Sequence, residues 1–116
     1  MVKPTAKATS PCHQIVEIQK ILRLTESEMA EVLKVRQKTL ARWQDGHVPV
    51  RHRAGVQKLY ELALVLRHEV LSSRIEKIIR TPAANLGERS ILQVIQSEGV
   101  GPIYEYLERL FAYGNA

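Results

Sequence analysis

Three features of the sequence predict an all-α fold. Apolar residues recur at helical spacing along most of the chain, as in Ile15, Ile18, Ile21 and Leu22. Helix starts are marked by capping signatures: Ser10-Pro11, Thr25-x-x-Glu28, Ser73-x-x-Glu76 and Ser90-x-x-Gln93. No segment alternates apolar and polar residues as a half-buried strand does. About seven helices are expected from this pattern.

Residues 1–10 carry Lys3 and Lys7 without an apolar stretch, and read as a flexible arm, not a signal peptide. Ser10 as cap and Pro11 at the first helical position open a helix over residues 11–23. Thr25 then opens a helix over 26–34, whose Met29, Ala30 and Leu33 form one apolar stripe. The small Ala30 lets a second helix cross closely. Val35 plugs the turn, and a helix over 36–45 turns Leu40 and Trp43 inward before Gly46 ends it at C′. Pro49 holds Val48 extended and bars continuation.

A long helix follows, from near Val50 to near Val70. Leu59, Leu62, Ala63, Leu66 and Val70 make one stripe; Tyr60, Leu64, Val65 and Leu71 make a second. A helix apolar on two sides is expected to be buried on two sides, here against the first three helices and against the C-terminal half or a second subunit. Ser73 is expected to cap a short helix to about Arg80, with Ile75, Ile78 and Ile79 inward. Residues 81–87 read as a loop. Ser90 caps a helix carrying Ile91, Leu92, Val94 and Ile95. Gly99, Gly101 and Pro102 turn the chain into a last helix, on which Ile103, Leu107, Leu110 and Phe111 share a face before a short tail from Ala112.

The 116 residues suffice for one modest core. The single cysteine, Cys12, rules out an internal disulfide framework and suits a reducing cytosol, so a cytoplasmic protein is expected. No apolar run is long enough for a membrane span. The charge is uneven. Residues 1–53 hold ten Lys/Arg against five acids, whereas residues 54–116 hold seven of each, so the whole net charge of +5 lies in the first half. A basic half joined to a neutral half suits a polyanion-binding module attached to a protein-binding module. Plain solvation of a basic face is the alternative.

The segment 25–46 carries the most specific pattern. Counted from Glu26 as the first position of a roughly twenty-residue bihelical unit, Met29, Ala30, Leu33, Val35, Leu40 and Trp43 occupy the buried positions of a helix-turn-helix. Lys34 stands where glycine often supplies a left-handed turn, a conformation lysine adopts at about 1 kcal/mol. Arg36, Gln37, Lys38, Thr39 and Arg42 then project outward, where such side chains reach base edges and phosphates. Arg51 and Arg53, with His52 between them, open the next helix and either grip the DNA backbone or solvate the face. A helical hairpin that packs and reads nothing is the competing interpretation.

Chemistry that would make an enzyme is missing. There is no P-loop or GxGxxG motif; the four histidines do not pair with Cys or carboxylates at metal-ligand spacing; and the serines are placed as caps. No catalytic residue, metal or cofactor is expected. Tyr104, Tyr106, Phe111 and Tyr113 gather near the C-terminus. Phe111 fits the core, while Tyr104 and Tyr113 lie off the apolar face and suit a protein interface.

With these residues in view, two resemblances emerge. The front half resembles the Xre/Cro class of helix-turn-helix, through Thr39-Leu40-Ala-Arg42-Trp43-Gln-Asp-Gly46. The back half is similar to the toxin-binding domain of Xre/MbcA/ParS-type antitoxins. The matching phrases are Leu59-Tyr-Glu-Leu62-Ala63, Thr81-Pro82-Ala-Ala-Asn85-Leu86-Gly87-Glu-Arg89-Ser90, Glu98-Gly99, and Leu107-Glu-Arg109-Leu110 closing on Tyr113-Gly114. Ile91 departs from the family, which often has proline after the serine. The resemblance covers the chain from about residue 13.

It implies an Xre/Cro-like bundle over 11–54, joined through a long helix to a small helical toxin-binding domain within 55–116. It also implies a type II antitoxin that covers the active site of a RES-domain, NAD-consuming toxin and represses its own operon through promoter DNA. Such a protein acts as a homodimer or within a larger toxin–antitoxin complex. The toxin-binding residues it implies are Arg89, Tyr104, Arg109, Tyr113, Gly114 and Asn115. Two alternatives stay open: a stand-alone dimeric helix-turn-helix repressor, and a structural adaptor that binds protein but no DNA.

Overall fold

Helix α1 (Pro11–Leu22) begins where the Ser10 side chain accepts a hydrogen bond from the His13 amide, with proline in the first turn, as the dipeptide predicts. It stops at Arg23, which turns left-handed at φ 54°. This computed structural model describes residues 10–114, and their side chains through Leu110. Of the expected arm over residues 1–10, residues 1–9 lie outside the described residues, and Ser10 is the cap of α1.

Thr25 and Glu28 close a reciprocal capping box at the start of α2 (Glu26–Leu33): the Thr25 amide donates to Glu28 Oε1 at 2.9 Å, and the Glu28 amide to Thr25 Oγ1 at 3.1 Å. Lys34 adopts φ 58° and ends the helix, taking the left-handed place its position requires. Helix α3 (Gln37–Gln44) follows with Arg36 as its extended N-cap. Gly46 follows the helix at φ 145°, a backbone state that favours glycine but lies outside the left-handed helical region.

The connector leads through Pro49 into α4 (Val50–Glu69), and Val70 is extended at its end. Helix α5 (Ser72–Arg80) starts two residues earlier than a Ser73 cap would place it. Leu71 occupies the N-cap and no side chain caps the helix, so the Ser73 capping box does not form. A capping serine needs extended backbone; the break at Val70–Leu71 puts Ser73 inside the helix instead. A short 3₁₀ turn (Ala84–Leu86) and an isolated bridge between Ala83 and Arg89 shape the next loop. The Ser90 box forms as expected at α6 (Ile91–Glu98), with the Ser90 amide donating to Gln93 Oε1 at 2.8 Å. Helix α7 (Gly101–Gly114) carries through most of what reads as a tail.

Seven α-helices are present among the described residues, with no strand. Their apolar faces meet in one continuous core that runs from Ile15 and Ile18 on α1, through Met29, Leu40 and Trp43, to Ile103 and Leu107 on α7. Helix α4 lies along α1, and residues 54 and 55 fall within it. Both expected stripes of α4 are buried, from Leu59 and Leu62 to Tyr60, Leu64 and Val65. Two apolar residues depart from the expectation. Leu71 is 69% exposed because it belongs to the break between α4 and α5, and Leu110 is 46% exposed because no described element covers it. Leu33, Val35, Val70 and Ile78 are half-buried at the margin of the core. Helix α6 packs directly on α2, so the first and second halves of the sequence meet there.

Candidate nucleic-acid interface

Helix α3 is held from behind. Leu40 and Trp43 are buried, the Trp43 ring lies 4.7 Å from that of His52, and Gln44 donates to Gln19 on α1. Anchoring at Leu40 and Trp43 leaves the opposite side to solvent. Lys38 and Arg42 are exposed there, the N-cap Arg36 and Gln37 are exposed at the helix start, and Thr39 is half-buried. Among the described residues none of Arg36, Lys38 and Arg42 is in an ion pair, and the first turn holds no acid. No side chain caps the helix, so its leading amides stay open to an anion. Two cations on the outer face and one at the N-cap, all without an acidic partner among the described residues, join a helix start without a side-chain cap, a combination suited to phosphate and to base edges.

Arg51 and Arg53, in the first turn of α4, are also exposed. Arg53 Nε donates to the Val48 carbonyl at 2.9 Å, which fixes the connector behind α3. Arg51 Nε donates to His52 Nε2 at 3.3 Å. Both guanidinium groups therefore have a packing role alongside any contact they make with a ligand.

The residues of the C-terminal motif are placed differently. Arg89 is engaged within the chain: its Nε donates to the Leu86 carbonyl at 3.1 Å, and its Nη1 lies 2.5 Å from Glu98 Oε2. It thereby ties the loop after α5 to the end of α6. Tyr104 is half-buried against α4, with its hydroxyl 3.4 Å from the Lys58 carbonyl, to which it donates. Burial, reinforced by the Glu61 charge, pushes this phenol up to about 12. Arg109 is exposed, beside a shallow depression that it forms with Asn85, Tyr106 and Leu110. The side chain of Tyr113, the last helical residue Gly114 and all of Asn115 lie at or beyond the end of what is described, and Asn115 is outside the described residues. Arg89, Tyr104 and Arg109 each have different neighbours, with no hydrogen bond or ion pair between them. An open apolar groove of about 600 Å³ runs between α5 and α7, lined by Ile78, Pro82, Ala83, Tyr106 and Leu110 and edged by Arg74 and Lys77.

The sequence offered no sign of the ion pair that joins the two halves. Arg80 on α5 holds both carboxylate oxygens of Glu28, and its Nη2 also donates to the Arg23 carbonyl at 2.9 Å. The Arg80 guanidinium, with the Thr25 amide, lowers the Glu28 carboxyl to about 2 despite its partial burial. Glu28 and Arg80 are 52 positions apart, and each reads alone as an ordinary exposed charge.

The chain matches no protein-family model, no curated protein and no solved structure with which it was compared. Among the described residues, no group of three His, Cys, Asp or Glu is placed to hold a metal ion, and no helix is long and apolar enough to cross a membrane.

Proposed function

We propose that this chain is a DNA-binding antitoxin of the Xre/MbcA/ParS type. In this reading α2, the Lys34 turn and α3 form an Xre/Cro-like helix-turn-helix that recognises promoter DNA. The observation that carries it is the start and outer face of α3, where the N-cap Arg36 and the helical Lys38 and Arg42 stand exposed without an acidic partner among the described residues while Leu40 and Trp43 anchor the helix from behind. An ordinary exposed helix mixes signs on such a face. Lys38 and Arg42 lie one turn apart and would meet adjacent base edges or phosphates. Toxin inhibition rests on the C-terminal sequence motifs, with a RES-domain toxin as the partner they imply. The open groove between α5 and α7 offers that half a surface for a protein partner.

Two experiments test the reading. Mobility shift on the chain's own promoter, with Lys38→Ala and Arg42→Ala, tests the DNA half; loss of the shift in both variants is expected. Co-expression with the adjacent toxin gene tests the other half. Truncation after Glu98 would remove the buried Ile103 and Leu107 and unfold the core, so truncation after Leu110 is the informative variant. Loss of protection in a chain that still folds supports inhibition through the last residues.

A second reading, a stand-alone dimeric repressor, draws on the same open groove, which a second copy could fill. A folded chain that is a stable homodimer, represses its promoter and has no toxin gene beside it would favour it.

A further inference from the structure

A second groove, of about 380 Å³, lies on the side of the molecule where the α2–α3 turn, the start of α4 and the α6–α7 junction meet. Lys34, Arg51, His52 and Lys58 line it, and among its described lining residues none is acidic. Its floor is apolar, with Leu33 and Val56 among the lining side chains. In a chain with 12 acids, a concavity lined by three cations and a histidine without a carboxylate has a distinct ligand preference. Its volume falls in the range of small-molecule sites, roughly 300–1,000 Å³.

We propose that this groove binds a small phosphorylated molecule of about nucleotide size. Two lysines and an arginine supply charge for a dianionic phosphate, the arginine in a form that engages two oxygens at once. The apolar floor would take a base or hydrocarbon portion. Lys34 is the sensitive member. It sets the left-handed turn before α3, and its Nζ donates to the Gln96 carbonyl at 3.0 Å. A phosphate competing for that ammonium would loosen the tie between the turn and α6, so occupancy would be felt at the residue that positions α3. Arg51 lines the groove and also stands on the proposed DNA side, so ligand and DNA backbone would compete for it.

The binding test uses the full chain and no DNA, so it succeeds or fails independently of promoter recognition. Calorimetric titration at fixed ionic strength with AMP, ADP, adenosine and inorganic phosphate is the primary measurement. The nucleotides are expected to bind, inorganic phosphate about tenfold more weakly, and adenosine not at all. Lys58→Gln leaves the Lys34–Gln96 contact in place and is expected to weaken nucleotide binding roughly fivefold or more with the melting temperature unchanged. Lys34→Gln should weaken it at least as much. The proposal fails if no nucleotide binds at about 1 mM, or if inorganic phosphate binds as well as AMP, which would mean charge without a site. It also fails if both variants bind nucleotide like the parent chain. A further titration with duplex DNA separates the two sources of phosphate: variants that lose DNA affinity while no nucleotide binds would assign the groove to the DNA backbone and overturn the proposal.

Discussion

Substituting Glu28 by Gln tests the bridge between α2 and α5 through its charge alone. Glutamine at the third helical position preserves the reciprocal cap with Thr25, so the helix start survives. What is lost is the ionised partner of Arg80. The carboxyl sits at about 2 in the folded chain against an ordinary 4.5. At about 1.4 kcal/mol per pH unit, the full depression sets a ceiling of about 3.5 kcal/mol. The Arg80 and Glu28 side chains are 34% and 23% exposed, and solvent screening brings the expected loss to about 1–2 kcal/mol at neutral pH.

The pH dependence gives this prediction its edge. A carboxyl whose folded value is depressed adds stability that is complete above about 4.5 and disappears as pH falls toward about 2. The gap between the parent chain and Glu28→Gln should hold from pH 7 to about 5, then narrow to less than half by about pH 3. Urea unfolding followed by far-ultraviolet circular dichroism across this range measures it. Equal stabilities at pH 7 would refute the bridge. A gap that persists unchanged at about pH 3 would show that the substitution acts through packing and not through charge.

Arg23 ends α1 at φ 54°, so Arg23→Gly should stabilise the chain by about 0.5–1 kcal/mol, or a few degrees of melting temperature, although a charge is lost. Removing the buried Ser90 cap by Ser90→Ala should cost about 1 kcal/mol in the same unfolding assay. Leu40→Ala, at a fully buried position behind α3, should cost about 2–5 kcal/mol in urea unfolding and reduce promoter binding only as far as folding is lost.

What the sequence revealed depended on how far apart the interacting residues lie. The caps at Ser10, Thr25 and Ser90 join groups three positions apart, and each formed where the motif stood. The left-handed state of Lys34 followed from its place between two apolar stripes. Ser73 shows the limit of a motif: the same signature failed because the chain had already turned at Val70–Leu71. Periodicity assigned a face to Leu110 but could not say that no described neighbour covers it. Longer reach was invisible. Nothing local marks Arg80 as the partner of Glu28, or Lys34 as the donor to Gln96. Arg89 and Tyr104 stand out in the C-terminal motif, yet their contacts with Glu98 and the Lys58 carbonyl come from other helices. On α3 the outward cations were legible because Leu40 and Trp43 fix the helix register.

The claim that α3 reads DNA is tested most directly by fluorescence anisotropy with the promoter duplex and a shuffled duplex of the same composition, across a series of salt concentrations. Preference for the promoter, with Lys38→Ala and Arg42→Ala each lowering affinity and the slope of log affinity on log salt by up to about one, is the predicted result. Equal affinity for both duplexes, or binding that neither substitution changes, would contradict it.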